Sequence, residues 1–149
     1  MISIEFENIA SDKSIKTILQ KAAKIGLPAS PVDLSIVVCD DDFIQNLNKE
    51  YRDVDRPTDV LSFPSDEIDP GDGTRYLGDI IISLPRATAQ AIDAHHPVAE
   101  ELSMLAIHGV LHLLGYDHHT ETEKQIMWQK QAQLLLSLGI TMDKFSGDE

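Results

Sequence analysis

Hydrophobic and polar residues alternate with two different periodicities along this chain. Short runs in which every second residue, or nearly every residue, is apolar predict four β-strands, at residues 2–7, 33–38, 60–63 and 77–83. Longer segments with apolar residues three and four apart predict five helices, at about residues 11–24, 40–51, 83–95, 97–114 and 120–138. We therefore expect an α+β fold, with an approximately four-stranded mixed sheet packed with helices.

Residues at the ends of these segments carry start and stop signals. Ser11, Asp40 and Thr120 are predicted N-caps, and Thr120 opens a capping box. The segment 65–75 contains Asp-Pro-Gly-Asp-Gly and is predicted to be a flexible loop. Because no repeat or linker interrupts the pattern, residues 1–149 are expected to form a single domain, with a disordered acidic tail from about residue 143.

Three histidines lie at the end of the predicted fourth helix. His108 and His112 are four residues apart, so they share one helix face about 6 Å apart along its axis. Gly115 can adopt the left-handed conformation that ends a helix, and His118 can then turn back toward the other two. Three protein ligands with an open fourth position are typical of catalytic zinc. The spacing predicts one Zn²⁺ per chain in a metal-dependent hydrolase, with the metal-binding helix in the C-terminal half.

The spacing His-x3-His-x2-Gly-x2-His is also that of the metzincin proteases, in which a glutamate follows the first histidine. Here that residue is Gly109, so the ligands are present without the general base of peptide hydrolysis. His119 competes with its neighbour His118 for the third ligand position, and the distance from Gly115 favours His118. Asp117 either orients a ligand imidazole or faces solvent. The alternative for the whole segment, histidines with no metal role, is much less favoured at this spacing.

The composition is that of a soluble globular protein. Hydrophobic residues make up 42% of the 149 and charged residues 25%. No apolar run approaches the roughly 20 residues that span a bilayer, so no membrane partner is expected. The first residues alternate like a strand and do not resemble a signal peptide. A single cysteine, Cys39, excludes an internal disulfide and favours a cytoplasmic location.

The net charge of −13 argues against strong, general binding to duplex DNA. The distribution of the arginines allows a local positive site, because all four fall in the central third of the chain, at Arg52, Arg56, Arg75 and Arg86. DNA is therefore not an expected partner, whereas a local positive site on this acidic protein is compatible with the sequence.

Four segments, in their order and spacing, resemble one known family. They are Leu47-Asn-Lys-Glu-Tyr-Arg52, Pro57-Thr-Asp-Val-Leu-Ser-Phe-Pro64, Leu77-Gly-Asp-Ile80 and the histidine segment 108–118. Over about residues 35–140 the chain resembles the YbeY family, bacterial metal-dependent endoribonucleases of ribosome maturation. The histidine segment and the Thr-Asp-Val-Leu-Ser-Phe-Pro segment are specific when found together.

The resemblance implies both residues and a reaction. His108, His112 and His118 would be the zinc ligands, and Arg52 would match the family's arginine near the catalytic cleft. The implied activity is single-strand-specific, zinc-dependent endoribonuclease action in ribosomal RNA processing, including 3′-end maturation of the small-subunit RNA, and in ribosome biogenesis. The implied partners are single-stranded and ribosomal RNA, the small ribosomal subunit and its assembly factors.

A phosphodiester reaction needs positive charge and a proton acceptor. Zinc held by three histidines lowers the pKa of its bound water toward about 7 and polarises a phosphoryl oxygen. Arg52 can hold two phosphate oxygens at once, and its alternative role is an ion pair with Asp53 or Asp55. Asp59, Asp79 or the zinc-bound hydroxide could take the proton, and the sequence does not choose between them.

The roles of three further residues have two alternatives each. Where the family often has Met-x3-Glu in the last helix, Met127 is followed by Gln131, which removes a carboxylate either from the site or from a helix surface. Ser62 belongs either to a tight entry into a core strand or, with Thr58 and Asp59, to a groove. Trp128 has helix-stripe spacing, which favours the core over stacking on a base.

Two other functions remain as hypotheses. One is a metzincin-like peptidase that uses another base. The other is a non-catalytic ribosome-assembly factor in which the metal only holds a loop in place. The acidic charge of the chain is the best support for this second hypothesis.

Overall fold

The structure of this chain, a computed structural model, describes residues 1–141. The four strands are β1 (Ile2–Glu7), β2 (Val32–Cys39), β3 (Val60–Pro64) and β4 (Arg75–Ser83). The five helices are α1 (Lys13–Ile25), α2 (Asp41–Arg52), α3 (Leu84–Ala94), α4 (Val98–Leu113) and α5 (Glu121–Ser137). The predicted order and number of elements are confirmed for these residues.

The strands form one mixed sheet in the order β1-β2-β4-β3. β1 pairs parallel to β2 and β2 pairs parallel to β4, whereas β3 runs antiparallel to β4 at the edge. The parallel pairs require helical crossovers, which α1 and α2 help to supply. The predicted α+β class with a four-stranded mixed sheet is confirmed.

Helix α4 is the centre of the hydrophobic core. It packs against β3 and β4 on one side and against α1, α3 and α5 on the others. Its residues from Glu101 to Leu111 are all buried. A helix enclosed on every side has no polar face, which is why the apolar pattern along α4 is nearly continuous.

Gly109 sets how closely α4 approaches the sheet. A Cβ atom at this position would lie 2.8 Å from Cγ2 of Ile80, a fully buried residue of β4. Only glycine therefore allows the observed packing of helix on strand. This packing positions the part of α4 that carries His108 and His112.

Helix α2 covers the opposite face of the sheet. Its Ile44 packs with Leu61, Ile81 and Cys39 in a second, smaller core. Cys39 is fully buried at the end of β2, and burial raises the pKa of its thiol to about 12. Neighbours along β3 alternate between the two cores, because Val60 belongs to the main core and Leu61 to the smaller one.

Some predicted boundaries differ from the observed ones. The N-cap of α1 is Asp12 rather than Ser11, because the Asp12 carboxylate accepts hydrogen bonds from the backbone of Ser14 and Ile15. β4 begins at Arg75, which also bridges to Ile68 within the predicted loop. The caps predicted at Asp40 and Thr120 are confirmed.

The interior stripe of α5 is shifted from the predicted one. Trp128 is only half-buried, whereas Met127, Gln131, Leu134 and Leu135 are buried. The predicted disordered tail from about residue 143 lies outside the described residues. None of the helices within residues 1–141 is both long enough and apolar enough to cross a lipid bilayer.

We predict that Gly109→Ala destabilises the protein by about 1 kcal/mol. Overpacking against Ile80 costs about 1–3 kcal/mol, which outweighs the gain of up to about 1 kcal/mol in helix propensity. Urea unfolding followed by circular dichroism measures the difference. In an Ile80→Ala background the same substitution should cost less, because the clashing side chain is gone; an equal cost in both backgrounds would rule out this contact as the cause.

Candidate metal centre

The C-terminal end of α4 turns the chain back over the helix. The backbone N–H of Tyr116 donates to Leu111 O at 3.0 Å, and that of Gly115 donates to His112 O at 3.0 Å. These two bonds form a Schellman motif, which requires a left-handed residue just past the helix. Gly115 supplies it with φ of +100°, as its position in the sequence predicted.

This turn brings three imidazole rings together. Nε2 of His108 lies 3.1 Å from Nε2 of His112, and one ring nitrogen of each of His108, His112 and His118 lies within 4.8 Å of the others. Nitrogens on a tetrahedral zinc ion are about 3.4 Å apart, because each Zn–N bond is about 2.0–2.1 Å. The three histidines could therefore hold a metal ion with little rearrangement.

The three candidate ligands differ in how deeply they are buried. His108 is buried at 4% exposure, His112 is half-buried, and His118 is exposed on the loop that follows α4. Two ligands thus stand on a rigid helix and the third stands on a loop. This arrangement leaves one side of the cluster facing solvent, where a fourth ligand can enter.

His119 is the histidine that the fold separates from the cluster. Its Nε2 lies 3.0 Å from Oδ2 of Asp117, and its side chain is 79% exposed. The other Asp117 oxygen, Oδ1, accepts a hydrogen bond of 2.8 Å from the His118 backbone. That bond is the main reason why the pKa of Asp117 is lowered. An ionised carboxylate next to the cluster favours a bound cation.

Hydrogen bonds on the far side of the rings orient the helical ligands. Nδ1 of His108 lies 3.0 Å from Oε1 of Gln131, a residue of α5 that is 2% exposed. Because an amide oxygen accepts, Nδ1 carries the proton and Nε2 keeps its lone pair toward the cluster. His112 has a corresponding hydrogen bond with the backbone of Tyr116. Both contacts fix ring orientation, as is usual around metal ligands.

The same environment favours the unprotonated form of the two histidines on α4, His108 and His112. Burial lowers the pKa of His108 to about 3, with a further contribution from His112, although the bond to Gln131 opposes the shift. Burial, followed by His118, also lowers the pKa of His112, and the positive charge of Arg52 contributes to that shift. Neutral imidazole is the form that binds metal, so both helical ligands are ready at neutral pH.

The cluster opens into a cleft of about 420 Å³. His112 and His118 line it together with Arg52, the last residue of α2, and Ser62 of β3. Arg52 was predicted near the site, and the fold brings its side chain to the same cleft as the two histidines. Ser62 Oγ is buried and has no hydrogen-bond partner among the described residues. The cleft therefore combines the cationic Arg52 with His112 and His118, two of the three candidate metal ligands.

The two carboxylates proposed as proton acceptors do not line this cleft. Asp59 is fully buried and accepts hydrogen bonds from the Val60 backbone at 2.8 Å and from Gln90 at 3.4 Å. Asp79 accepts a hydrogen bond from the Tyr76 hydroxyl. The hydrogen bonds of both carboxylates are therefore structural contacts. Asp117 is the acidic residue among those that line the cleft.

Gly109, at the position of the metzincin glutamate, faces Ile80 and not the cleft. A glutamate side chain would collide with β4 here. The spacing shared with those proteases is therefore a shared arrangement of ligands only, and the packing of α4 excludes their general base.

Comparison with known proteins shows the family of this chain. The family model described as endoribonuclease YbeY matches residues 2–139. A protein of Bacillus cereus named endoribonuclease YbeY is 41% identical over 133 residues, which cover 85% of each chain. Another of that name, from Pelotomaculum thermopropionicum, is 43% identical over 140 residues, covering 89% of this chain and 92% of the relative. The chain belongs to the YbeY endoribonuclease family.

A solved structure shares the fold. The solution structure of a Thermotoga maritima protein matches the full length of both chains with a TM-score of 0.61 and 28% sequence identity. The membership in the YbeY family that the sequence motifs suggested is thus confirmed over nearly the whole chain.

Gln131 is the site residue whose place the sequence left open. The alternative in which this side chain lies on a helix surface is wrong, because Gln131 lies inside the protein against His108. A signal was present: Gln131 is the polar member of the stripe Met127, Gln131, Leu134 and Leu135, whose spacing marks the buried face of α5. A polar side chain inside an apolar stripe indicates a specific buried partner.

We predict that the metal-free protein loses stability as pH falls from about 6.5 toward 3. The pKa of His108 is lower in the folded protein than in the unfolded chain, so the unfolded state binds the extra proton over this range. This single group contributes a slope of about 1.4 kcal/mol per pH unit, fully recovered above pH 6.5. Urea unfolding at several pH values measures it. The His108→Gln variant should have a shallower slope, and an identical slope would show that His108 is not responsible.

We also predict that Gln131→Leu weakens metal binding by about 10–100-fold, because His108 loses the acceptor that orients it. Competition with a chromogenic chelator measures the affinity. Gln133→Leu on the exposed side of α5 is the matched control and should bind as the wild type does. Unchanged affinity in a folded Gln131→Leu variant would contradict the orienting role.

Proposed function

We propose that this protein is a zinc-dependent endoribonuclease that cleaves single-stranded RNA during ribosomal RNA processing. The observation that carries the proposal is the cluster of His108, His112 and His118, of which His112 and His118 line one cleft together with Arg52. Histidine ligands with an open side suit catalytic metal, and a guanidinium beside them suits a phosphodiester. The endoribonuclease names of the relatives support the same reaction class.

Each side chain has a separate task in this mechanism. A Zn²⁺ ion held by the three histidines would supply Lewis acidity toward a phosphoryl oxygen and lower the pKa of a coordinated water. His108 and His112 keep their lone pairs on the cluster because burial and the bonds to Gln131 and Tyr116 fix them. Arg52 binds the phosphate and stabilises the negative charge that grows during cleavage.

The biological setting follows from the family. We propose that the substrates are ribosomal RNA precursors, including the 3′ end of the small-subunit RNA, and that the partners are the small ribosomal subunit and its assembly factors. Because duplex DNA would meet a chain of net charge −13, we do not propose DNA as a substrate. The proposed location is the cytoplasm, where ribosomes are assembled.

We expect His112→Ala to lose both metal and RNA cleavage, since it removes one of two helical ligands. Arg52→Lys should keep the metal and lose about 100-fold in cleavage rate, because a lysine cannot hold two phosphate oxygens at once. Metal content by mass spectrometry and cleavage of an end-labelled single-stranded ribosomal RNA fragment measure the two effects.

His119→Ala is the matched control for the ligand assignment, because this neighbouring histidine pairs with Asp117 outside the cluster. It should retain metal and activity. Metal-loaded wild type that leaves RNA intact would refute the nuclease and favour an assembly factor with a structural metal. Cleavage of casein that is lost in His108→Ala would instead favour a peptidase.

A further inference from the structure

A second cleft adjoins the metal cleft. It has a volume of about 310 Å³ and is lined by Arg52, Arg56 and Arg86, with Asn48 and Thr58 among the neighbouring polar residues. The three arginines come from the end of α2, from the loop before β3 and from the first turn of α3. Tertiary structure therefore gathers three of the four arginines of the chain into one depression.

The charged side chains that line this cleft are cationic, although the protein as a whole is acidic. The chain carries 25 acidic residues and 12 lysines and arginines, yet no carboxylate lies among the described residues that line the cleft. The nearby Asp55 is engaged by Lys49 at 3.8 Å and by Gln45 at 3.0 Å. A cleft that concentrates positive charge on an acidic protein attracts anions selectively, because the rest of the surface repels them.

The loop that presents Arg56 is held in place. Asn48, which is 4% exposed, donates from Nδ2 to the Arg56 backbone oxygen at 3.0 Å. The Arg56 side chain is exposed and carries its charge at the mouth of the cleft. Since its backbone is fixed by a buried amide, replacing this side chain removes charge without removing the support of the loop.

Arg52 lines both clefts and connects them. An RNA strand with one phosphate beside His112 and His118 and bound by Arg52 can therefore continue into the second cleft, where the next phosphate on that side would meet the exposed Arg56. A polyanion with regularly spaced charges matches two adjoining sites better than a single small anion does.

We propose that the second cleft is a phosphate subsite, which binds the backbone of single-stranded RNA next to the scissile phosphate and sets the direction of the strand across the metal centre. This inference rests on the proposed nuclease function for the identity of the ligand. Arg56 and Arg86 are the residues that distinguish the subsite from the metal cleft.

The test measures binding rather than cleavage. A fluorescent single-stranded 2′-O-methyl RNA is titrated with the metal-loaded protein at several salt concentrations, and the oligonucleotide is checked on a gel to be uncut. Each contact to a phosphate of a single strand contributes about −0.7 to the slope of log affinity against log salt. Arg56→Gln should therefore reduce the steepness by about 0.7 and weaken binding about fivefold or more at low salt.

Arg75→Gln is the matched control. It removes the same charge from an exposed arginine that lines neither cleft, at the start of β4. It should leave the slope unchanged, and Arg56→Lys should largely preserve it. Equal slopes for wild type and Arg56→Gln, or equal losses in Arg56→Gln and Arg75→Gln, would overturn the subsite.

A second measurement changes the RNA instead of the protein. Single phosphates are replaced by uncharged methylphosphonates, one position at a time. Wild type should show two adjacent sensitive positions, and Arg56→Gln should lose the sensitivity of one of them; a single sensitive position in wild type would overturn the proposal. If Arg56→Gln removes the sensitivity to one phosphate but the wild-type protein cuts no RNA, the subsite is supported and the nuclease function is refuted. If the protein cuts RNA but Arg56→Gln leaves both sensitivities unchanged, the nuclease function is supported and the subsite is refuted.

Discussion

The close approach of α4 to the sheet at Gly109 is the contact on which the rest of this structure depends. Because no Cβ separates the helix from Ile80, α4 can sink between the sheet and three other helices. Enclosure of this depth desolvates His108 and makes its charged form costly. The residue that allows the core to pack thus also favours the neutral form of His108, the candidate metal ligand one position away.

A buried imidazole must also have its second nitrogen satisfied. Gln131 provides the acceptor from α5, so the helix that closes the core also orients the ligand. A glutamate at this position would place a charge beside His108, whereas the amide gives the same acceptor oxygen without one. The chain therefore keeps the orienting contact of the site while holding His108 in a neutral environment.

The distribution of charge separates the functional edge from the remaining surface. A protein of net charge −13 is repelled by nucleic acid at most approaches. The C-terminal end of α2, the loop before β3 and the start of α3 instead bring Arg52, Arg56 and Arg86 to one place beside the metal ligands. Repulsion of nucleic acid by the acidic surface, together with attraction by the arginines, favours RNA binding at this edge of the protein.

The sequence alone determined the features that depend on residues near one another in the chain. The periodicity of apolar residues predicted the four strands and five helices, and the spacing of His108, His112, Gly115 and His118 predicted the histidine cluster, because helix periodicity and a glycine turn are local properties. Boundaries moved where competing caps were adjacent, as at Asp12. Only the tertiary structure decided which polar side chains meet across elements. Gln131 reaches His108 from 23 residues away, and Arg86 joins Arg52 from a different helix, because the packing of α3 and α5 around α4 sets those distances.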